Sequence, residues 1–265
     1  MVSVGPAIRF VEVRGRRRIA YRETGEPEGE PVILVHALAS DSSSWNMIGS
    51  HLADAGLRVI ALDLPGHGRS DRLAGYSLDA MEDELALAID RLDVDRFDLI
   101  GHSLGGHLAL RLAARSPGRV RRLIAVSVPV PPRDEADADR IAHRSTKLSA
   151  WRLIKLLGVG RLIHIALLGR FDREALKPIV WQLRQPMPQW WADLGQIRST
   201  ILLLTGSNDE PITSRADLLM AGVEGAELQV IGTGHHPHRD HQDAFLQVVM
   251  PFLTARELQE RRAAF

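Results

Sequence analysis

Cysteine is absent from the 265 residues. Its absence excludes disulfides, thiolate nucleophiles and metal or iron–sulfur sites built on sulfur. Net charge is absent as well: 33 basic residues balance 33 acidic ones. No long-range field therefore marks a nucleic acid or an anionic membrane as a partner. Lysine is confined to Lys147, Lys155 and Lys177, so arginine carries nearly all the positive charge. The basic run Arg14, Arg16, Arg17 and Arg18 lies between two strand-like stretches and is expected to be a solvated hairpin, not a polyanion site. Residues 1–10 lack a basic segment followed by an apolar one, so no signal peptide is expected. No apolar run approaches the ~20 residues that span a bilayer. Repeats and low-complexity tracts are missing too. The expectation is a cytoplasmic protein without nucleic-acid or membrane partners, its oligomeric state left open.

What is present is ordinary in bulk and specific in pattern. A composition of 45% hydrophobic and 25% charged residues suits a globular chain, and the length suits one large domain or a domain with an insertion. Residues 8–13 and 17–24 read as an antiparallel strand pair turning at Gly15. Residues 31–35 and 59–62 are apolar runs fit for strands buried on both faces. Between them, residues 42–44 can cap a helix that carries Trp45, Ile48, Leu52 and Ala55 and ends at Gly56. Ser77 opens a second helix to about residue 92, with Met81, Leu85, Ala88 and Ile89 as its inner stripe. Residues 97–100 and 122–128 make two further strands around the helical stretch 107–114. The alternation breaks at the prolines 129, 131 and 132. It resumes with strand 201–205, helix 214–221, strand 228–231 and helix 240–253. This pattern predicts an α/β fold: a mostly parallel eight-stranded sheet with helices on both faces. Residues 131–196, helical in character, hold four of the five tryptophans. They are expected to form a cap inserted between two parts of one core, 1–130 and 197–265, since so short a piece could hardly bury its own core.

Chemistry-bearing residues fall where such strands end, as an open parallel sheet requires. Strand 97–100 runs into Gly101-His102-Ser103-Leu104-Gly105-Gly106 and then directly into a helix. A serine on that sharp turn is pushed out above the sheet, and the N–H of Leu104 points where an oxyanion would form. Strand 201–205 is followed by Gly206-Ser207-Asn208-Asp209, and strand 228–231 by Gly232-Thr233-Gly234-His235. The order Ser103, Asp209, His235 is that of a catalytic triad on this kind of sheet. His235 would move the proton of Ser103 and Asp209 would hold the imidazole tautomer, with Glu210 as the alternative acid. His235, His236, His238, Asp240 and His241 also suggest a metal, but Pro237 limits their convergence and the triad already accounts for His235, so no metal is expected.

Taken together, Gly101 to Gly106, the stretch from Asp63 to Asp71, Gly206 to Asp209 and Gly234-His235 make the chain resemble the α/β-hydrolase superfamily over nearly its whole length. The Asp63–Asp71 stretch is similar to the family's D-x-P-G-x-G-x-S segment. The resemblance implies a second oxyanion donor after the third strand, where His36-Ala37-Leu38 stands. Leu38 is the expected donor and Ala37 the next candidate, with alanine where glycine is usual. Ser103 in place of a nucleophilic aspartate implies acyl transfer. The expected function is serine hydrolysis of a carboxylic ester, lactone or thioester of a small, largely apolar substrate, with no cofactor. The alternatives are C–C cleavage, elimination or cyclisation with the same triad, or a low-turnover receptor. His36, Ala37, His102, Trp151, Trp181 and Trp190 are candidate pocket residues, and Leu153, Ile154, Leu156, Leu157, Ile163 and Ile165 lend the insertion its apolar character.

Overall fold

Apolar runs of five to seven residues bounded by turn residues build the centre of the molecule. A computed structural model describes residues 5–145, 170–210, 212–232 and 234–254. Its strands are β1 (Ile8–Glu12), β2 (Arg18–Thr24), β3 (Pro31–Val35), β4 (Arg58–Leu62), β5 (Phe97–His102), β6 (Val120–Val126), β7 (Thr200–Gly206) and β8 (Glu227–Ile231). They form one eight-stranded sheet in the order β1-β2-β4-β3-β5-β6-β7-β8. β1 and β2 pair antiparallel, and β2 meets β4 antiparallel, while every other pairing is parallel. This is the mostly parallel eight-stranded α/β sheet that the alternation predicts, and the α/β-hydrolase fold that the resemblance implies.

Among the described residues the α-helices are α1 (Asn46–Asp54), α2 (Leu78–Arg91), α3 (Leu104–Arg115), α4 (Glu135–Ser145), α5 (Leu176–Gln182), α6 (Pro188–Asp193), α7 (Thr213–Gly222), α8 (Pro237–Asp240) and α9 (Gln242–Thr254). Both faces of the sheet are covered. One core joins Ile33, Leu99 and Leu123 to Met81, Leu85 and Leu108 of α2 and α3, and the other joins Leu34, Ile100 and Leu202 to Trp45, Ile48 and Phe245. β3, β5 and β6 lie innermost and are buried nearly throughout, which is why they read as largely apolar, with Asp98 of β5 paired to Arg121 and Arg122 of β6.

Three local readings change. The first helix is entered through a 3-10 turn, Ser42–Trp45, capped by the Asp41 carboxylate on the Ser43 N–H and not by the serines. A short side chain one residue earlier reaches the first free N–H just as well. The last helical stretch is split at His241 into α8 and α9. The basic hairpin is only partly solvated, because Arg17 pairs with Glu84, whose side chain is 6% exposed. Among the described residues no helix is long and apolar enough to cross a membrane.

Candidate active site

β5 delivers Ser103. Gly101 pairs with Val35 on one side, and His102 pairs with Val126 on the other. The chain then reverses into α3 with Ser103 at φ 53° and ψ −114°, a conformation a side-chain-bearing residue holds only under constraint. The constraint is visible. Ser103 donates its N–H to Val126 (2.8 Å) and accepts from the N–H of His107 (3.0 Å). A Cβ at Gly101 would collide with the Gly105 carbonyl, and one at Gly105 with the carbonyls of Val35 and His36. The two glycines flanking the serine are therefore required by backbone-to-backbone approach.

β7 and β8 supply the partners. Asp209 sits in the turn after β7, its N–H bonded to Gly206 O (3.1 Å) and its side chain 1% exposed. Its two oxygens accept from His235 Nδ1 at 3.0 and 2.9 Å. That fixes the proton on Nδ1 and leaves Nε2 as an acceptor for the Ser103 hydroxyl, 3.2 Å away. Glu210 points outward and is exposed. The structure thus brings together the three residues that the sequence picks out, which stand 106 and 26 positions apart along the chain.

Leu104 is the first residue of α3, so its N–H has no carbonyl one turn back within the helix. Leu38 lies in the turn after β3, closed by Ser40 N–H to Ala37 O at 3.2 Å. The alanine that replaces the usual glycine is not the strained residue here. The left-handed conformation falls on Ala39 (φ 57°), two positions on.

The pocket candidates fare differently. His36 is fully buried and spends its ring on the backbone: Nδ1 donates to Ala37 O (2.7 Å) and Nε2 accepts from Leu64 N–H (2.9 Å). It braces the loops after β3 and β4, and does not present itself to a ligand. Ala37 is 4% exposed beside it. His102 is 1% exposed and donates from Nε2 to the carbonyl oxygen of His235 (2.7 Å). Trp190, 4% exposed, lies flat on His107 (ring centroids 5.1 Å, 2°) and edge-on to Trp191. It belongs to the packing of α6 on α3. Trp181 stands in solvent at 62% exposure, because α5 turns Ile179 inward instead. Trp151 and the apolar residues 153–165 named with it lie outside the described residues.

Two residues matter more than the sequence reading allows. Asp63 accepts from Ser42 N–H (2.6 Å) and Arg69 N–H (2.8 Å), tying the loops after β3 and β4 together, and burial raises its carboxyl above the usual range. The second is His102. Neither has a sequence signal beyond lying inside a motif. The histidines after β8 pack on one another and on Trp45, where the ring of His238 stacks at 4.3 Å.

Comparison with known proteins agrees with this architecture. The family model for the alpha/beta hydrolase fold matches residues 30–150. An uncharacterised protein of Mycobacterium tuberculosis is 29% identical over 290 residues, covering 96% of this chain and 83% of that protein. The 2-hydroxy-6-oxononadienedioate/2-hydroxy-6-oxononatrienedioate hydrolase of Escherichia coli K12 is 28% identical over 270 residues, covering 92% of this chain and 93% of the enzyme. Among solved structures, the enol-lactonase from Burkholderia xenovorans LB400 superimposes with a TM-score of 0.73 at 22% identity, covering 93% of this chain and 100% of that one. By sheet order and by likeness to solved structures along almost its whole length, the chain has the α/β-hydrolase fold, and its residues 30–150 match the model of that fold's family.

Proposed function

We propose that this protein is a serine hydrolase that cleaves a carboxylic ester, lactone or thioester of a small, largely apolar substrate through an acyl-enzyme on Ser103. The observation that carries the reading is the continuous relay from Asp209 through His235 to a serine held in a strained turn. In the first half-reaction Ser103 Oγ attacks the carbonyl carbon while His235 Nε2 takes its proton. The oxygen of the tetrahedral intermediate takes the negative charge and accepts from the N–H groups of Leu104 and Leu38. Asp209 steadies the imidazolium without itself taking the proton. Collapse breaks the bond to the leaving alcohol, thiol or enol, which receives the proton from His235. Water then repeats the sequence on the acyl-enzyme, releasing the acid and restoring Ser103. No step calls for a cofactor or a metal. The apolar residues Leu153, Ile154, Leu156, Leu157, Ile163 and Ile165 support the substrate class by sequence.

A second reading, C–C cleavage by the same three residues, is favoured by the E. coli relative, whose named substrate is a keto-diacid without an ester bond. The first experiment is intact mass after treatment with a small alkyl fluorophosphonate, beside Ser103→Ala. The expected result is one adduct on the wild type and none on the variant. An unlabelled wild type would sink the acyl-transfer reading. With labelling in hand, ester, thioester, lactone and vinylogous keto-acid panels separate the two chemistries.

A further inference from the structure

The residue before the nucleophile holds the main chain of the general base. His102 ends β5, where its backbone is registered against Val126. From there its Nε2–H donates to the carbonyl oxygen of His235 at 2.7 Å, across 133 positions of sequence. The ring is 1% exposed and packed against three imidazoles: His238 at 4.6 Å, His235 at 5.0 Å and His236 at 5.1 Å. Burial first, then those neighbouring rings, hold it well below the usual histidine range, so it stays neutral and carries a single N–H. The carbonyl it meets can only accept, which places that proton on Nε2. Such a ring is unsuited to act as a second base.

The segment it grips is entered through open backbone. His235 follows β8 in a stretch with glycines at 232 and 234, and neither has an atom within 4 Å of where a Cβ would stand. Packing therefore does not fix the backbone at those two glycines. The Asp209 carboxylate fixes the ring of His235, and the His102 bond fixes the peptide that carries it. We infer that His102 is a positioning residue, which sets the height of His235 above Ser103 through a bond to the His235 carbonyl. This rests on the acyl-transfer reading, because a base must be in use for its position to matter.

The test uses p-nitrophenyl butyrate turnover and the rate of fluorophosphonate labelling. His102→Phe keeps the ring volume and removes the donor, while His102→Gln places an amide N–H near the old Nε2. The Phe variant is expected to lose about 10–100-fold in kcat, the scale of a small misplacement of a catalytic group. KM should stay within about twofold, and labelling should slow in parallel. The Gln variant should recover most of the loss. Should the Phe variant not fold, Gln is compared with Asn, whose amide falls one bond short, and Gln should be about tenfold faster. A Phe variant with wild-type kcat, or a Gln variant no better than Phe or Asn, overturns the positioning role and leaves His102 as packing. A labelled wild type with an unaffected Phe variant defeats this inference alone. An unlabelled wild type defeats the acyl-transfer reading and this inference with it.

Discussion

Ser103 shows how tightly single residues are specified here. Its φ of 53° costs a non-glycine residue about 1–3 kcal/mol, which the surrounding bonds must offset. They do so only if β3, β5 and α3 approach at backbone distance, and Gly105 is where they do. Gly105→Ala would drive a methyl into the carbonyls of Val35 and His36. The expected loss is about 1–3 kcal/mol in urea unfolding, as for other overpacked sites. Because the same push parts Leu104 from Leu38, fluorophosphonate labelling should slow as well. Unchanged stability would mean that the β3–α3 contact is looser than the structure has it. Asp209 gives a second test on this scale. Asp209→Asn should lower p-nitrophenyl ester turnover by roughly 10³–10⁴-fold, since an amide cannot hold the Nδ1–H tautomer. Glu210→Gln, on an exposed neighbour without a bond to His235, should leave turnover within about twofold. Equal losses in the two variants would remove Asp209 from its role.

Among the elements, the loop after β4 and the segment leading into α5 are held as one piece. His67 bridges Phe171, Gly68 N–H donates to Arg170 O (2.8 Å), and Asp172 N–H donates to Gly66 O (2.7 Å). Tyr76 closes the clamp: its hydroxyl donates to the Asp172 carboxylate at 2.8 Å, and burial followed by that bond pushes the phenol up to about 12. Tyr76→Phe leaves the buried carboxylate short of a donor, so unfolding free energy should fall by about 1.5–3 kcal/mol, the range for bonds to charged groups. A fall under about 0.5 kcal/mol would mean that other donors suffice. No periodicity announces such a clamp, because it is built from main-chain bonds between turns. Strands are another matter. β3, β5 and β7 are legible because burial on both faces keeps them largely apolar in spite of Asp98 and Thr205, and the triad is legible because its members stand shortly after strands. His102 and Trp190 are not. Whether an imidazole or an indole faces a ligand or a neighbouring helix depends on where α3, α6 and the loop after β8 come to rest, which local sequence does not encode.

Among the described residues, three of the buried imidazoles, His67, His102 and His107, are held neutral, and stability must follow pH accordingly. Burial, then His36, lowers His67 to about 3; burial, then Arg111, lowers His107 to about 3; His102 lies well below its usual range. Unfolded, each binds a proton near pH 6.5. Below that value the unfolded chain takes up protons that the folded chain refuses, so the three contributions are complete above pH 6.5 and are lost as pH falls toward 3. Asp98 works the other way. Burial raises it to about 6 in spite of Arg122, so between its unfolded value near 3.8 and pH 6 the folded state holds the extra proton. The three histidines outweigh Asp98 and Asp63, whose carboxyl burial also raises, so near pH 5 unfolding takes up protons on balance and stability falls with pH. Calorimetric Tm should accordingly peak above pH 6.5 and fall steadily on acidification to pH 5. His107→Phe, which can keep the stack on Trp190, should flatten that slope by about one proton. A Tm independent of pH between 7 and 5 would mean that these rings are not excluded from water, and the closed packing of β5, α3 and the loop after β8 on which the site depends would have to be redrawn.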